Sequence, residues 1–160
     1  MAEDVIRIAS ARDRASVPDL TPDAYFDKLV DMAARICRTP TALVTYVGVD
    51  RQYFKAKVGL TCDSTSRDVA FCVHAIEADI ILIVPDARLD PRFCNNPLVT
   101  GEPFIRFYAG VPVHASDGRP VGTLCVIDVE PRDLDDGQLM NLRQLAKLAS
   151  ARLRGRATAA

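Results

Sequence analysis

Two side chains with metal and redox chemistry, Cys72 and His74, stand two residues apart in the run Phe-Cys-Val-His-Ala-Ile at 71–76. On a strand they would share a face; on a helix they point about 200° apart, which argues against joint ligation of one ion. A tetrahedral site would need two further ligands, and no Cys or His cluster with ligand spacing occurs, so no metal is expected. The plain reading is a semi-buried thiol and a hydrogen-bonded core imidazole. A second thiol, Cys94, follows Arg92 and Phe93, where a neighbouring guanidinium would raise its thiolate fraction. Asp86, Asp90 and Arg92 form an acid–base group. Two carboxylates perform acid–base catalysis only in a shared cleft. More commonly an Asp after Pro turns the chain and an Arg ties loop carboxylates together. Arg106 and Tyr108 fall on one face of an alternating run and, with Phe93 and His74, would line a pocket in which Arg anchors a carboxylate or phosphate. The alternative has Arg106 bridging to Asp86 or Asp90 while Tyr108 covers the sheet.

The elements that must position these residues follow from periodicity and punctuation. Thr21-Pro22-Asp23 reads as a helix start with Thr21 as N-cap. Phe26, Leu29, Val30, Ala33 and Ile36 then mark one buried face until Thr39-Pro40. Residues 41–49 and 52–58 read as a hairpin whose second strand places Phe54, Ala56 and Val58 on one face and Tyr53, Lys55 and Lys57 on the other. A short helix over 69–77 and a short strand over 80–84 precede a loop rich in Pro, Asp, Arg and Asn that runs from Pro85 to Pro103. Two strands follow, 105–113 and 121–129, joined by a turn at Ser116-Asp117-Gly118. The first puts Ile105, Phe107, Ala109, Val111 and Val113 together and Arg106 and Tyr108 opposite. A last helix opens on a capping box, Asp135 with Gln138, and buries Leu139, Leu142, Leu145, Ala146, Ala149 and Leu153. Helices at the ends and strands between them make the chain α+β, with an antiparallel sheet.

With 160 residues, 49% hydrophobic and 26% charged, the composition suits one soluble domain. The division expected is a helical or partly mobile lead-in over 1–20, a domain over 21–155 and a tail over 156–160. A net charge of −1 gives no general attraction to nucleic acid or anionic membrane. No run is apolar enough to span a bilayer, and the first 20 residues lack a signal peptide's apolar core. A cytoplasmic chain is therefore expected, its five cysteines free thiols. The basic cluster Arg152, Arg154 and Arg156 reads as compensation of a helix dipole.

In this setting the chain resembles a GAF domain, a small sensory module of bacterial signalling proteins, from about Asp23 to Leu153. The resemblance rests on Phe71–Ile76, Val84–Gly101, Ile105–Pro112 and Val121–Asp128, four closely spaced motifs in the family's order. It implies five or six antiparallel strands, terminal helices packed on one face, and a pocket on the other beneath the long loop. It also implies a non-catalytic sensor that binds an unidentified small molecule, the cofactor being unknown, and that dimerises through its terminal helices. The output partner so implied is a histidine kinase or a diguanylate cyclase. Cys72, His74, Asp86, Arg92, Phe93, Arg106 and Tyr108 are the residues expected at the pocket. Where relatives carry Ser before Phe-Cys, this chain has Ala70, which leaves Asp68 to cap the short helix. Two alternatives stand beside the sensor. One is a thiol redox sensor or enzyme using Cys72 and Cys94, akin to the free methionine-(R)-sulfoxide reductases of this fold, although their Ser-Glu-Ile and Asp-x-Asp patterns are missing. The other is a purely structural dimerisation module. The sequence patterns of the bilin-attaching and cyclic-nucleotide-binding relatives are absent.

Overall fold

A carboxylate, not the threonine expected, starts the first helix. In the computed structural model, which describes residues 17–159 and side chains through Gly155, α1 spans Ala24–Cys37 and Asp23 is its N-cap, accepting the Tyr25 N–H at 2.9 Å. The second Asp23 oxygen takes Arg152 Nε at 3.2 Å, a double role that the Thr21 hydroxyl cannot fill. The helix ends at Arg38, left-handed at φ 56°, whose N–H reaches back to the Ala34 and Arg35 carbonyls. Of the expected lead-in, residues 1–16 lie outside the described part; Val17 and Leu20 pack on the core beside α1.

Six strands follow: β1 (Thr41–Val47), β2 (Arg51–Val58), β3 (Ser64–Ser66), β4 (Leu82–Val84), β5 (Phe107–His114) and β6 (Pro120–Asp128). They form one sheet in the order β3-β2-β1-β6-β5-β4, and every neighbouring pair is antiparallel. Between β3 and β4 come a 3₁₀ turn, Arg67–Val69, and α2 (Cys72–Ala78); between β4 and β5 come a second 3₁₀ turn, Ala87–Leu89, and α3 (Pro97–Thr100). The chain closes with α4, Asp136–Ala159. Its capping box is made: Gln138 N–H donates to Asp135 at 2.7 Å and Asp135 N–H to Gln138 Oε1 at 3.0 Å.

Three local expectations need correction. The single short helix over 69–77 is two pieces, because the 3₁₀ turn stops at Val69 and α2 starts at Cys72. Asp68 does not cap α2, whose N-cap residue is Phe71 with no side-chain bond; Ser66 caps the 3₁₀ turn instead. In the hairpin, Val44 pairs with Ala56 but Thr45 pairs with Phe54, so Lys55 is an extra residue in β2. A bulge of this kind breaks the two-residue period. Ala56 and Val58 stay beneath the terminal helices, whereas Phe54 turns to the opposite face. Lys55 points to the α1 side, donating to the Asp19 and Thr21 carbonyls. Likewise Ile105 precedes β5 and packs opposite Phe107, Ala109, Val111 and Val113.

The sheet is buried on both faces. Phe26, Leu29 and Val30 of α1 and Leu142, Leu145 and Ala149 of α4 cover one side, where each fully buried large side chain contributes about 1.5–3 kcal/mol. The other side is covered by α2 and the 85–103 loop, through Phe71, Ala75, Ala87, Phe93, Val99 and Ile105. No described helix is long and apolar enough to cross a membrane.

Candidate functional site

Strand alternation builds a polar floor on the α2 face of the sheet. Thr45 of β1 stands opposite Thr123 of β6, and their hydroxyls meet at 3.0 Å. Cys125, two residues along β6, lies opposite Gly110 of β5. Tyr108 lies over Gly110, since a Cβ there would fall 2.3 Å from the phenolic oxygen. That hydroxyl is 3.5 Å from Thr123 Oγ1. From β2, Gln52 donates to Thr65 at 2.6 Å and accepts the Cys72 thiol at 2.7 Å. Every member of this floor is buried, and none carries a formal charge at neutral pH.

An aromatic lid closes over the floor. Phe71, ahead of α2, stacks on Phe93 of the loop with centroids 4.1 Å apart and planes 7° apart, and its ring lies 5.2 Å from Tyr108. Offset stacking of this type adds to area burial. The loop is fastened at four points. Asn96 caps α3 through the Leu98 N–H and donates to the Val69 carbonyl at 3.1 Å. Arg106 donates to the Val99 carbonyl at 2.9 Å. Asp86 and Asp90 each accept the backbone N–H two residues on and a forked guanidinium, from Arg88 and Arg92 respectively. The segment Asp-Ala-Arg-Leu-Asp-Pro-Arg at 86–92 thus encodes two copies of one clamp.

The pocket residues expected from sequence divide into three groups. Cys72, Phe93 and Tyr108 come together in the buried layer. His74 and Arg92 flank the same Phe93 ring from outside: the imidazole meets its edge at 4.8 Å and the guanidinium lies 5.3 Å from its centroid. His74 is exposed, which corrects its reading as a core imidazole, and Cys72 is fully buried rather than half. Asp86 and Arg106 fasten the loop, as does Asp90 outside the expected set, and Arg106 reaches carbonyls instead of either aspartate. The partner of the half-buried Cys94 thiol is the Pro91 carbonyl, at 3.9 Å, and Arg92 is engaged by Asp90. Residues not expected at the site, Thr45, Gln52, Thr123 and Cys125, supply most of the floor. Their signal is present only as period-two spacing, Thr123 with Cys125, and the sequence does not say which face it selects.

The electrostatics are those of a sealed neutral compartment. Burial pushes the Cys72 and Cys125 thiols up to about 12 each, and Cys37 up to about 11 in the opposite core. Burial likewise drives the Tyr108 phenol well above its usual range. Groups held protonated this firmly supply neither thiolate nor general base at neutral pH. The Arg88 and Arg92 guanidinium bonds hold the Asp86 and Asp90 carboxyls below their usual range. A carboxyl depressed in the folded state contributes stability above its unfolded value, about 3.9, and that stability is lost as pH falls through the folded value. Asp90→Asn should therefore lower Tm at pH 7, and the gap to the wild-type chain should shrink as thermal melts are repeated down to pH 3. Among the described residues no group of three or more His, Cys, Asp or Glu side chains is placed to hold a metal ion.

Comparisons with known proteins agree with this geometry. The family model described as GAF domain matches residues 21–153. A cyclic di-GMP phosphodiesterase of Pseudomonas aeruginosa is 42% identical over 132 residues, which make up 82% of this chain and 22% of that protein. The chain therefore spans about a fifth of the curated relative it matches. Among solved structures, the GAF domain from an Acinetobacter phosphoenolpyruvate-protein phosphotransferase superposes with a TM-score of 0.68 at 20% identity, over 84% of this chain and 82% of that one. Free methionine-R-sulfoxide reductase from Neisseria meningitidis, in complex with its substrate, gives 0.66 at 16% identity, over 98% and 99%.

Proposed function

Because the chain belongs to the GAF domain family, we propose that it is a non-catalytic sensory module of bacterial signal transduction, cytoplasmic, that takes a small molecule between the α2 lid and the sheet. The observation that carries this reading is the uncharged polar floor beneath Phe71 and Phe93. A domain needing only stability would gain more from Val or Leu at Thr45, Gln52 and Thr123, because burying hydroxyls and amides costs free energy that their hydrogen bonds only offset. Side chains that can exchange one another for a guest explain their presence. In the described state the lid rests directly on the floor, so the guest enters as Phe93 and its loop lift. His74 and Arg92, outside the ring, meet the guest's exposed end. The name of the Pseudomonas relative supports an output within cyclic di-GMP signalling, through a diguanylate cyclase or phosphodiesterase domain; a histidine kinase is the other output. Exposed Tyr25 and Met32 on α1 and Met140 and Leu148 on α4 support a homodimer through the terminal helices.

Native mass spectrometry and thermal-shift screening of the purified chain test the binding reading. A retained or added small molecule should raise Tm, and the isosteric pair Thr45→Val with Thr123→Val should abolish that rise while leaving the chain folded. A chain that carries no guest and responds to no compound in a broad metabolite library is the structural module instead. Sedimentation showing monomer alone at high concentration removes the dimer.

A thiol enzyme or redox sensor is the second reading, favoured by the superposition over nearly the whole of the Neisseria reductase. Against it stand the burial of Cys72 and its bond to Gln52. With a thiol-reactive dye at pH 7.5, only the half-buried Cys62 and Cys94 should react in the folded chain, and all five cysteines after denaturation. Rapid native labelling of Cys72, or its loss on peroxide treatment, would favour the enzyme.

A further inference from the structure

Among the described residues, the helix layer leaves one edge of the sheet uncovered. α1 lies over β1 and β2, while α4 lies over β5 and β6, so the flank of α4 that faces β4 is open. A groove of about 580 Å³ runs there, within the size range of small-ligand sites. Its floor is apolar, formed by Ile80, Ile81 and Val111. Ile80 is 47% exposed, so part of this floor is open to solvent. Along its other wall stand Arg143 and Lys147, one turn apart on α4, and neither takes an acidic partner among the described residues. The one acid in the groove, Asp79, is already engaged by His114 Nε2 at 2.8 Å. An apolar floor beside two exposed cations that have no acidic partner among the described residues points to one ligand chemistry.

We propose that this groove is a second binding site, on the face opposite the lid, for an amphipathic organic anion: an apolar body on Ile80, Ile81 and Val111, and a carboxylate or phosphate head between Arg143 and Lys147. A guanidinium presents a planar fork to such heads, and an ammonium one turn away adds a second charge. The site would act where the two faces of the domain are joined. His114 binds Asp79, the C-cap of α2, through its side chain, and its backbone N–H donates to the buried Ser150 hydroxyl of α4 at 3.0 Å. Asp79, His114 and Ser150 all line the groove. An occupant here bears on the lid helix and on the terminal helix together. This proposal is independent of whether the lid site binds anything.

The test is an amide-resolved NMR titration of the whole chain at pH 7.5 with sodium decanoate below its micellar concentration, alongside decan-1-ol and sodium sulfate. Decanoate should shift the resonances of Ile80, Val111, Arg143 and Lys147. The alcohol and the sulfate should each bind at least about tenfold more weakly, a difference of about 1.4 kcal/mol. The charge-removing pair Arg143→Gln with Lys147→Gln, exposed positions whose replacement leaves the core intact, should weaken decanoate by a similar factor. Equal binding of the alcohol, binding unaffected by the double substitution, shifts centred on Phe93 and Cys72, or unresponsive groove amides would each overturn the proposal.

Discussion

Phe93→Ala should lower the stability of the domain by about 3–5 kcal/mol, the cost of removing a fully buried aromatic ring from a site that cannot collapse around the loss. The ring has no solvent exposure. Phe71 stacks on it, His74 meets its edge and Arg92 lies over it. Below it the sheet is fixed by the β5–β6 ladder and above it the loop is fixed by Asn96, so neither wall moves in to fill the void. For a domain of this length the expected fall in Tm is about 6–20 °C. The same substitution should uncover the floor, and the Cys72 thiol should begin to react with a dye that the wild-type chain excludes. Leu89→Ala, at a side chain 82% exposed in the same loop, is the control and should stay within about 0.5 kcal/mol. A loss below about 1 kcal/mol for Phe93→Ala would mean that the loop is not anchored through this ring, and the lid would then need another latch.

The architecture was legible because its signals are local and mutually consistent. The Asp135–Gln138 box, the Ser116–Gly118 turn and the apolar stripe on α4 each depend on neighbours a few residues away; the box and the turn form where the spacing placed them, and the stripe does from Leu142 on, whereas Leu139 is half-buried outside the core. The α+β sheet with terminal helices on one face follows from them. What the sequence hid is what depends on pairing across the sheet. The bulge at Lys55 comes from the β1–β2 register, and no pattern in Arg-Gln-Tyr-Phe-Lys-Ala announces that Phe54 turns away from Ala56. The floor has the same origin: Thr45 and Thr123 are 78 residues apart and become partners only because β6 inserts beside β1. For the helix start, Thr21 was read as the cap, but Asp23, two residues on, takes that place and its second oxygen is held by the distant Arg152. The aspartates 86 and 90 were readable as turn formers, but which arginine served each was decided by the two-residue reach of the Asx turn, giving Arg88 to Asp86.

Gly122→Ala should be as damaging as any single methyl this chain can gain, at about 3 kcal/mol or more, because overpacking against a backbone has no inexpensive relaxation. A Cβ at this position would fall 1.6 Å from the Thr45 carbonyl oxygen and 3.0 Å from Tyr46 Cα. Both atoms belong to β1, the central partner of β6, and Gly122 is paired directly with Tyr46. To admit the methyl, β1 and β6 must separate, which breaks the Thr45–Thr123 contact on one face and disturbs fully buried Tyr46 on the other. Gly110→Ala makes the instructive comparison. Its Cβ would fall 2.3 Å from the Tyr108 hydroxyl, also a severe overlap. There the obstacle is the edge of the buried Tyr108 ring, its hydroxyl, Cζ and Cε1, which must shift within a packed layer but leaves the strand backbones in place, at about 1–3 kcal/mol, the usual range for overpacking. Urea unfolding of both variants should therefore rank Gly122→Ala well below Gly110→Ala. The reverse order would show that the β1–β6 spacing is softer than the Tyr108 ring, and that the sheet, not the lid, is where this domain yields.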